Sequence, residues 1–191
     1  MKNRIVIPSI ITALMVAAIP AFAQINEPQS HVSNVFKLNF LSPGISYEQK
    51  ILAYSTLHFD AYMDALILTK SESSSNQAHL YFTPSFKTEF RNYYNLNKRE
   101  GKGLRTLLNS ANYIAPVYIG RYSPVTAWAD REWVNQVGAV WGMQRNSPKG
   151  FSLDLSLGLV YTFENRYYNY YQAVQPLVQL RLGYWIGRKS D

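Results

Sequence analysis

The chain has 191 residues, of which 47% are hydrophobic and 15% aromatic, and it carries a formal charge of +7. It contains no cysteine. This composition excludes a disulfide-stapled domain and a lipid anchor on an N-terminal cysteine, so stability must come from the fold itself.

The N-terminus has the layout of a secretory signal peptide. Lys2 and Arg4 precede an apolar stretch over 5–19, and small residues around 21–23 provide a cleavage site. An uncleaved membrane anchor is the alternative, but the apolar stretch is shorter than the roughly 20 residues that a spanning helix needs. We predict a signal peptide over 1–23 and a short leader over 24–33.

Export changes how the positive charge is interpreted. Loss of Lys2 and Arg4 would lower the formal charge from +7 to +5. A basic chain often indicates nucleic acid, but an exported protein does not meet that partner. The expected counter-charge is therefore the headgroups of anionic lipids, including lipopolysaccharide.

The first segment after the leader, 34–51, changes its apolar face partway along. Phe36 and Leu38 place apolar residues on even numbers, whereas Ile45 and Tyr47 place them on odd numbers after the Ser-Pro-Gly at 42–44. A β-bulge inverts the faces of one strand in this way, and so does a tight turn between two strands. The turn is favoured because it gives an even number of strands.

Alternation of apolar and polar residues, with period 2, continues along the rest of the chain. The segment 111–121 is apolar on both faces and is assigned as a strand mainly from its position. The alternating segments are 56–68, 79–91, 132–145, 150–163 and 178–186.

The segment 150–163, GFSLDLSLGLVYTF, indicates the environment of these strands. Its odd positions are all apolar from Phe151 to Phe163, its even positions are mostly polar or Gly, and Val160 is the one exception. Thirteen residues reach about 43 Å, or about 33 Å of height at a tilt near 40°. This height matches a lipid bilayer.

An open sheet edge cannot lie in hydrocarbon, so a set of such strands must close on itself. We predict an all-β protein, a closed antiparallel transmembrane β-barrel of eight strands over 34–187 with a short tail at 188–191. Connections at 71–78, 122–130 and 164–173 would lie outside the cell. The turn at 146–150 and the long 95–110 connection would lie in the periplasm.

Two stretches carry a resemblance. NVFKLNFLSPGISYEQK over 34–50 and RNYYNLNKREGKG over 91–103 resemble a family of small outer-membrane β-barrel proteins of Gram-negative bacteria, many of them carried as domains of unknown function. The resemblance implies a barrel of the OmpA/OmpX general type and brings no catalytic residues. Such barrels commonly end on an aromatic residue, whereas Tyr184 and Trp185 are followed here by IGRKSD.

Charged residues of both signs recur on the inward face of the predicted strands. An eight-stranded barrel is just wide enough for side chains to fill it, and buried charges persist only when they are paired. We predict a crosslinked polar interior, with a narrow conduction path as the alternative. Its members are Lys37, Glu48, Asp60, Asp64, Lys87, Glu89, Arg91, Asp154 and Arg181.

Histidines give a weak signal for chemistry. His58 and His79 both point inward and, with Asp60, could hold a metal or act as a base, but two histidines without a third ligand are more typical of a polar core. His31 and Ser33 resemble the His-x-Ser of some lipid deacylases but precede the first strand. We predict no catalytic residue, no metal and no cofactor.

Aromatic and basic clusters lie near the predicted strand ends. The aromatic clusters, including Tyr93-Tyr94 and the pair Trp128 and Trp133, are typical of a girdle at the membrane interfaces. The basic run from Lys98 to Arg105 suits lipid phosphates. An external loop could also contact a sugar or protein through Tyr167, Tyr168, Tyr170 and Tyr171.

We predict an outer-membrane protein with a structural or surface-interaction role, not an enzyme. The barrel assembly machinery and outer-membrane lipids are the expected partners, and a monomer is the expected state. The alternatives are a narrow channel for small solutes or ions and a lipid-modifying barrel enzyme. A soluble periplasmic lipid-binding barrel, with its faces inverted, is the third.

Overall fold

The structure, a computed structural model, describes residues 31–72, 75–124, 131–163 and 174–186, and it describes no side chains at 66–79, 81, 123–124 and 131–132. The predicted signal peptide, the 24–30 part of the leader and the C-terminal tail lie outside the described residues. The 164–173 connection, with its four candidate tyrosines, also lies outside them.

Eight antiparallel strands form one sheet in which each strand pairs with the next and the last pairs with the first. The predicted all-β, eight-stranded fold is confirmed. The described helices are short: α1, Leu96–Glu100, and a 3₁₀ turn, Leu107–Asn109. The strands are β1 (Val35–Asn39), β2 (Gly44–Leu52), β3 (Ser55–Glu72), β4 (Ser75–Asn92), β5 (Asn112–Pro124), β6 (Arg131–Asn146), β7 (Phe151–Thr162) and β8 (Val174–Ile186).

The change of face within 34–51 is a turn, as predicted. β1 and β2 pair from Val35 with Glu48 to Asn39 with Gly44, and Ser42 in the turn between them has a positive φ of 58°. An ideal Cβ on Gly44 would lie 2.2 Å from the carbonyl oxygen of Ala61, so a larger residue would push β2 away from β3.

Two of the three predicted external connections are shorter than the sequence indicated, and the third, 164–173, lies outside the described residues. β3 runs to Glu72 and β4 begins at Ser75, so most of the predicted 71–78 loop is strand. β5 likewise continues to Pro124. The prediction was wrong because polar composition was taken as a loop signal, whereas a paired hairpin keeps its backbone hydrogen bonds whatever its side chains are.

The two faces of the sheet divide as the alternation predicts. Inward positions such as Ser152, Asp154 and Ser156 on β7 are buried, whereas its outward residues are exposed, as Phe151 and Leu157 are, or half-buried. On β4 the buried side is Thr83 to Arg91 at odd numbers, opposite exposed phenylalanines. The barrel therefore has a polar interior behind an apolar exterior over most of its wall.

One sector of the interior is apolar, which the predicted polar lumen did not include. The segment 111–121, which is apolar on both faces, forms most of β5 and turns one of its apolar faces inward. Val160, the exception in the β7 pattern, is 2% exposed and lies in the same cluster. The strand members of this cluster are Tyr113, Ala115, Val117, Ile119, Val140 and Val160.

The long connection between β4 and β5 packs against one end of the barrel. Leu96 of α1 and Asn109 of the 3₁₀ turn are buried. The Asn109 side chain accepts from the Ser33 amide at 2.7 Å and donates to the Ser33 carbonyl at 2.8 Å. Arg105 Nε donates to the Asn146 carbonyl at 2.8 Å. The connection therefore ties the N-terminal leader to the end of β6.

Candidate functional site

The structure places all nine predicted interior residues on the inner face of the barrel. Eight of them are buried, and Asp64 is half-buried. They come from β1, β2, β3, β4, β7 and β8, so strands far apart in sequence contribute to one polar network. The network has three parts, centred on Glu89, on Glu48 and on Arg181.

Glu89 is the hub of the first part. Lys87 Nζ donates to its Oε1 at 2.7 Å, and Arg91 reaches its Oε2 through Nε at 2.8 Å and Nη2 at 2.5 Å. Nδ1 of His58 lies 3.4 Å from the same Oε2. All four side chains are almost fully buried, so two cations share the Glu89 carboxylate in a site from which water is largely excluded.

Arg91 joins this hub to the opposite wall. Its Nη1 lies 2.8 Å from Asp154 Oδ2 on β7 and 2.7 Å from Gln144 Oε1 on β6. Its guanidinium carbon stands 4.2 Å from the centre of the Tyr113 ring, and the Tyr113 hydroxyl donates to Asp154 Oδ1 at 2.8 Å. The two carboxylates and the aromatic ring replace most of the favourable contacts with water that the Arg91 guanidinium loses on burial.

Glu48 forms the second part with mainly neutral partners. Thr56 and Tyr93 both donate to its Oε1, at 2.6 and 2.5 Å, and Gln144 Nε2 donates to its Oε2 at 3.1 Å. Lys37 Nζ lies 3.9 Å from Oε2 and donates to Gln144 Oε1 at 2.6 Å. Gln144, Tyr93 and Tyr113 are network members that the search for charged residues missed.

Tyr93 lies just beyond the end of β4, where burial and the adjacent Glu48 carboxylate raise the pKa of its hydroxyl well above the ordinary value. The hydroxyl therefore stays protonated and can serve as a donor to Glu48. This position corrects the sequence interpretation of the Tyr93-Tyr94 pair as an interfacial girdle. Tyr94 alone is exposed, and its hydroxyl accepts from Trp141 Nε1 at 2.8 Å.

Arg181 on β8 forms the third part with Asp60 on β3. Its Nη1 is in ion-pair contact with Asp60 Oδ2, and its guanidinium carbon stands 4.8 Å from the centre of the Tyr62 ring. Asp64, farther along β3, pairs with Arg121 on β5 at 2.8 Å. With Arg121 included, the interior set holds five cations and five carboxylates.

The remaining histidine and basic candidates do not form a second site among the described residues. His31 stacks on Tyr54 with ring centroids 4.6 Å apart, and the His79 side chain lies outside the described set. No group of three or more His, Cys, Asp or Glu there is placed to hold a metal ion. Lys98 and Lys102 are exposed, whereas Arg99 donates to the Arg105 carbonyl at 3.1 Å.

The packing around Arg91 gives a prediction. Gly142 faces the Tyr113 ring, and an ideal Cβ there would lie 2.1 Å from the ring's Cζ. We expect Gly142→Ala to displace Tyr113 from Arg91 and to lower the free energy of unfolding by about 1–3 kcal/mol, measured from urea unfolding midpoints. Gly101→Ala is the control, because its Cβ would meet only one atom at 3.4 Å and should change little.

Fold and site together define an eight-stranded antiparallel β-barrel with a charged, internally crosslinked interior. No protein-family model, no curated protein and no solved structure matches the chain. Among the described residues, no helix is long and apolar enough to cross a membrane.

Proposed function

We propose that this protein is an integral outer-membrane β-barrel whose lumen is closed by side chains and whose role is structural or a surface interaction. The observation that carries the proposal is the direction of the side chains. Large apolar residues cover the outside, while arginine, lysine, aspartate and glutamate are sealed inside. A soluble lipid-binding barrel would need the opposite arrangement.

The apolar exterior supports the membrane location because of its extent. The described outward residues that are exposed include Leu80, Phe82, Phe86, Phe90, Ile114, Trp133, Trp141, Leu157, Leu159, Val178 and Leu180. They lie on five of the strands and so surround much of the barrel, whereas a docking patch occupies one face. Monomeric soluble proteins rarely expose contiguous apolar surfaces of more than a few hundred Å².

The polar network supports a closed lumen more than a channel. Arg91 spans from β4 to β7 and Lys37 reaches from β1 to Gln144 on β6, so ion pairs and hydrogen bonds cross the interior. A conduction path would require these links to open. We expect no ion-conductance steps from the protein in planar bilayers.

Cell fractionation with a heat-modifiability gel tests the location. A folded membrane barrel resists unfolding in cold sodium dodecyl sulfate and migrates differently after boiling. We expect the protein in the outer-membrane fraction, with two migration positions. Recovery of the folded mature chain in the soluble periplasmic fraction without detergent would overturn the proposal.

A further inference from the structure

The β1–β2 hairpin is shorter than the strands on either side of it, β8 and β3, of which β3 continues as a two-stranded hairpin with β4 because β4 pairs with β5 only from Ser85 onward. β2 pairs with β3 only as far as Gly44 with Tyr62, yet β3 continues to Glu72 on its pairing with β4. β1 pairs with β8 only as far as Asn39 with Gly183, yet β8 extends back to Val174. Beyond the 40–43 turn, no described strand lies between β3 and β8.

We call this gap the lateral notch: it lies beyond the turn at 40–43, between β3 from Asp64 onward and β8 up to Arg181. Backbone bonds end at its base, where the Met63 amide donates to the Pro43 carbonyl at 2.9 Å and the Leu182 carbonyl accepts from Phe40 at 2.9 Å. The Ala65 amide bonds instead to the Asp64 carboxylate at 3.1 Å.

Side chains replace the missing backbone pairing at the base of the notch. Arg181 reaches from β8 to Asp60 on β3, and Gln179 Nε2 donates to the Tyr62 hydroxyl at 3.3 Å. Lys87 Nζ also donates to Gln179 Oε1 at 2.9 Å. The polar network therefore extends to the base of the notch. Arg181 is the cation of the network that lies on β8, one of the two strands that border the notch.

Arg181 has unused hydrogen-bonding capacity within the described part of the chain. It is only 4% exposed, yet its Nε and Nη2 have no hydrogen-bond partner there. These two nitrogens form one planar edge of the guanidinium, the edge that matches a carboxylate or phosphate with two parallel bonds. Its ion pair with Asp60 uses Nη1 and so leaves this edge without a partner.

The outer rim of the notch is apolar. Val178 is 72% exposed, and Leu180 and Met63 are also exposed. Phe40 and Leu41 in the turn present two further exposed apolar side chains. A molecule held in the notch would thus meet apolar side chains on the outside, and its headgroup would have to pass them to reach Nε and Nη2 of Arg181, which have no contact with solvent.

We propose that the lateral notch binds an amphiphile with one anionic headgroup, the headgroup on the Nε and Nη2 edge of Arg181 and the acyl chain on the rim formed by Phe40, Leu41 and Val178. A carboxylate and a phosphate share the required chemistry. The site deepens the proposed function, because a membrane barrel meets such lipids laterally.

This occupant fits the notch better than an added peptide strand. A strand would use the open backbone edges, but the Ala65 edge amide is already taken by the Asp64 side chain, and a strand would leave the Arg181 donors without a partner. A second copy of the chain would offer its own apolar exterior, which brings no anion to the arginine.

Titration in maltoside micelles tests the site with three probes of equal chain length: palmitate, palmitoyl lysophosphatidate and monopalmitoylglycerol. Binding is measured by native mass spectrometry. We expect the two anionic probes to bind at least about tenfold more tightly than the neutral glyceride. The ratio of palmitate to lysophosphatidate affinity then distinguishes a carboxylate source from a phosphate source.

Arg181→Lys keeps the charge next to Asp60 but removes the two-donor edge, so we expect the anionic preference to fall about tenfold or more. Arg145→Lys is the matched control, since Arg145 is a partly buried arginine two strands away on β6, bonded to Asn112. Equal binding of the three probes, or no change in Arg181→Lys, would overturn the proposal. So would lipid-independent dimers, which would assign the notch to a second copy.

The cysteine-free chain allows a second measurement that does not depend on Arg181 variants. A benzophenone label on Val178→Cys should crosslink palmitate saturably, whereas the same label on Ile114→Cys, at an exposed outward position on β5 three strands away, should not. If the label at Val178→Cys does not crosslink palmitate while the protein keeps its heat modifiability, the notch site is ruled out and the membrane location is not. Loss of heat modifiability in the unmodified protein would instead overturn the membrane location.

Discussion

Glu89→Gln is expected to be among the most destabilising single substitutions in the barrel. The change preserves the shape of the side chain but removes the negative charge that Lys87 and Arg91 share, leaving buried cations with less compensation. Removing one partner of a buried ion pair typically costs about 3–5 kcal/mol. Urea unfolding of the protein in lipid vesicles, followed by tryptophan fluorescence, measures the loss.

Two variants distinguish this explanation from a general sensitivity to substitution. Glu100→Gln changes an exposed carboxylate on α1 and should alter the free energy of unfolding by less than about 0.5 kcal/mol. Adding Lys87→Gln to Glu89→Gln removes one of the stranded cations and should recover part of the loss, because residues in one network are not additive. A double variant as unstable as the sum of its parts would contradict the hub role of Glu89.

The assignment of inside and outside was predictable from the sequence because it depends on a period of two. Once Leu153 and Leu155 lie on one face, Asp154 must lie on the other, and no long-range information is needed. The turn at 42–44 was predictable for the same reason, since only an inserted turn or bulge reverses the parity of the apolar face. All nine interior charges follow from that rule.

The contacts within the interior were not predictable from alternation alone. Gln144 meets Lys37 and Arg91 because of how β6 lies across the barrel from β1 and β4, which depends on the register of every strand between them. Neutral residues such as Tyr93 and Tyr113 also carry no charge signal, yet they complete the bonding of Glu48 and Asp154.

The lateral notch was not predictable from any single segment of the sequence, because it depends on how far neighbouring strands extend relative to one another. The turn at 42–44 marks the end of β1, but the notch exists only because β3 and β8 continue beyond it. The sequence interpretation ended β3 near residue 68, since the polar stretch after it was taken for a loop. That error hid the difference in height between neighbouring strands.

Leu157→Lys tests the side of the wall that faces away from the network. Leu157 lies midway along the β6–β7 ladder, pairs with Trp141 and Val178, and points outward with 40% of its surface exposed. If that surface faces acyl chains, a lysine there should cost about 2–4 kcal/mol in lipid vesicles. If it faces water, the same change should fall within about 0.5 kcal/mol of the unmodified protein.

Asn97→Lys on α1 is the control, because it adds the same charge at an exposed position outside the strands, gives up only an exposed hydrogen bond to the Tyr54 hydroxyl, and should be nearly neutral in either environment. The comparison is made by urea unfolding in vesicles, with folding confirmed by the heat-modifiability gel. Because the two variants gain the same net charge, a penalty confined to Leu157→Lys must come from the surroundings of that position. Equal, small effects in both variants would mean that the apolar exterior does not lie in a bilayer.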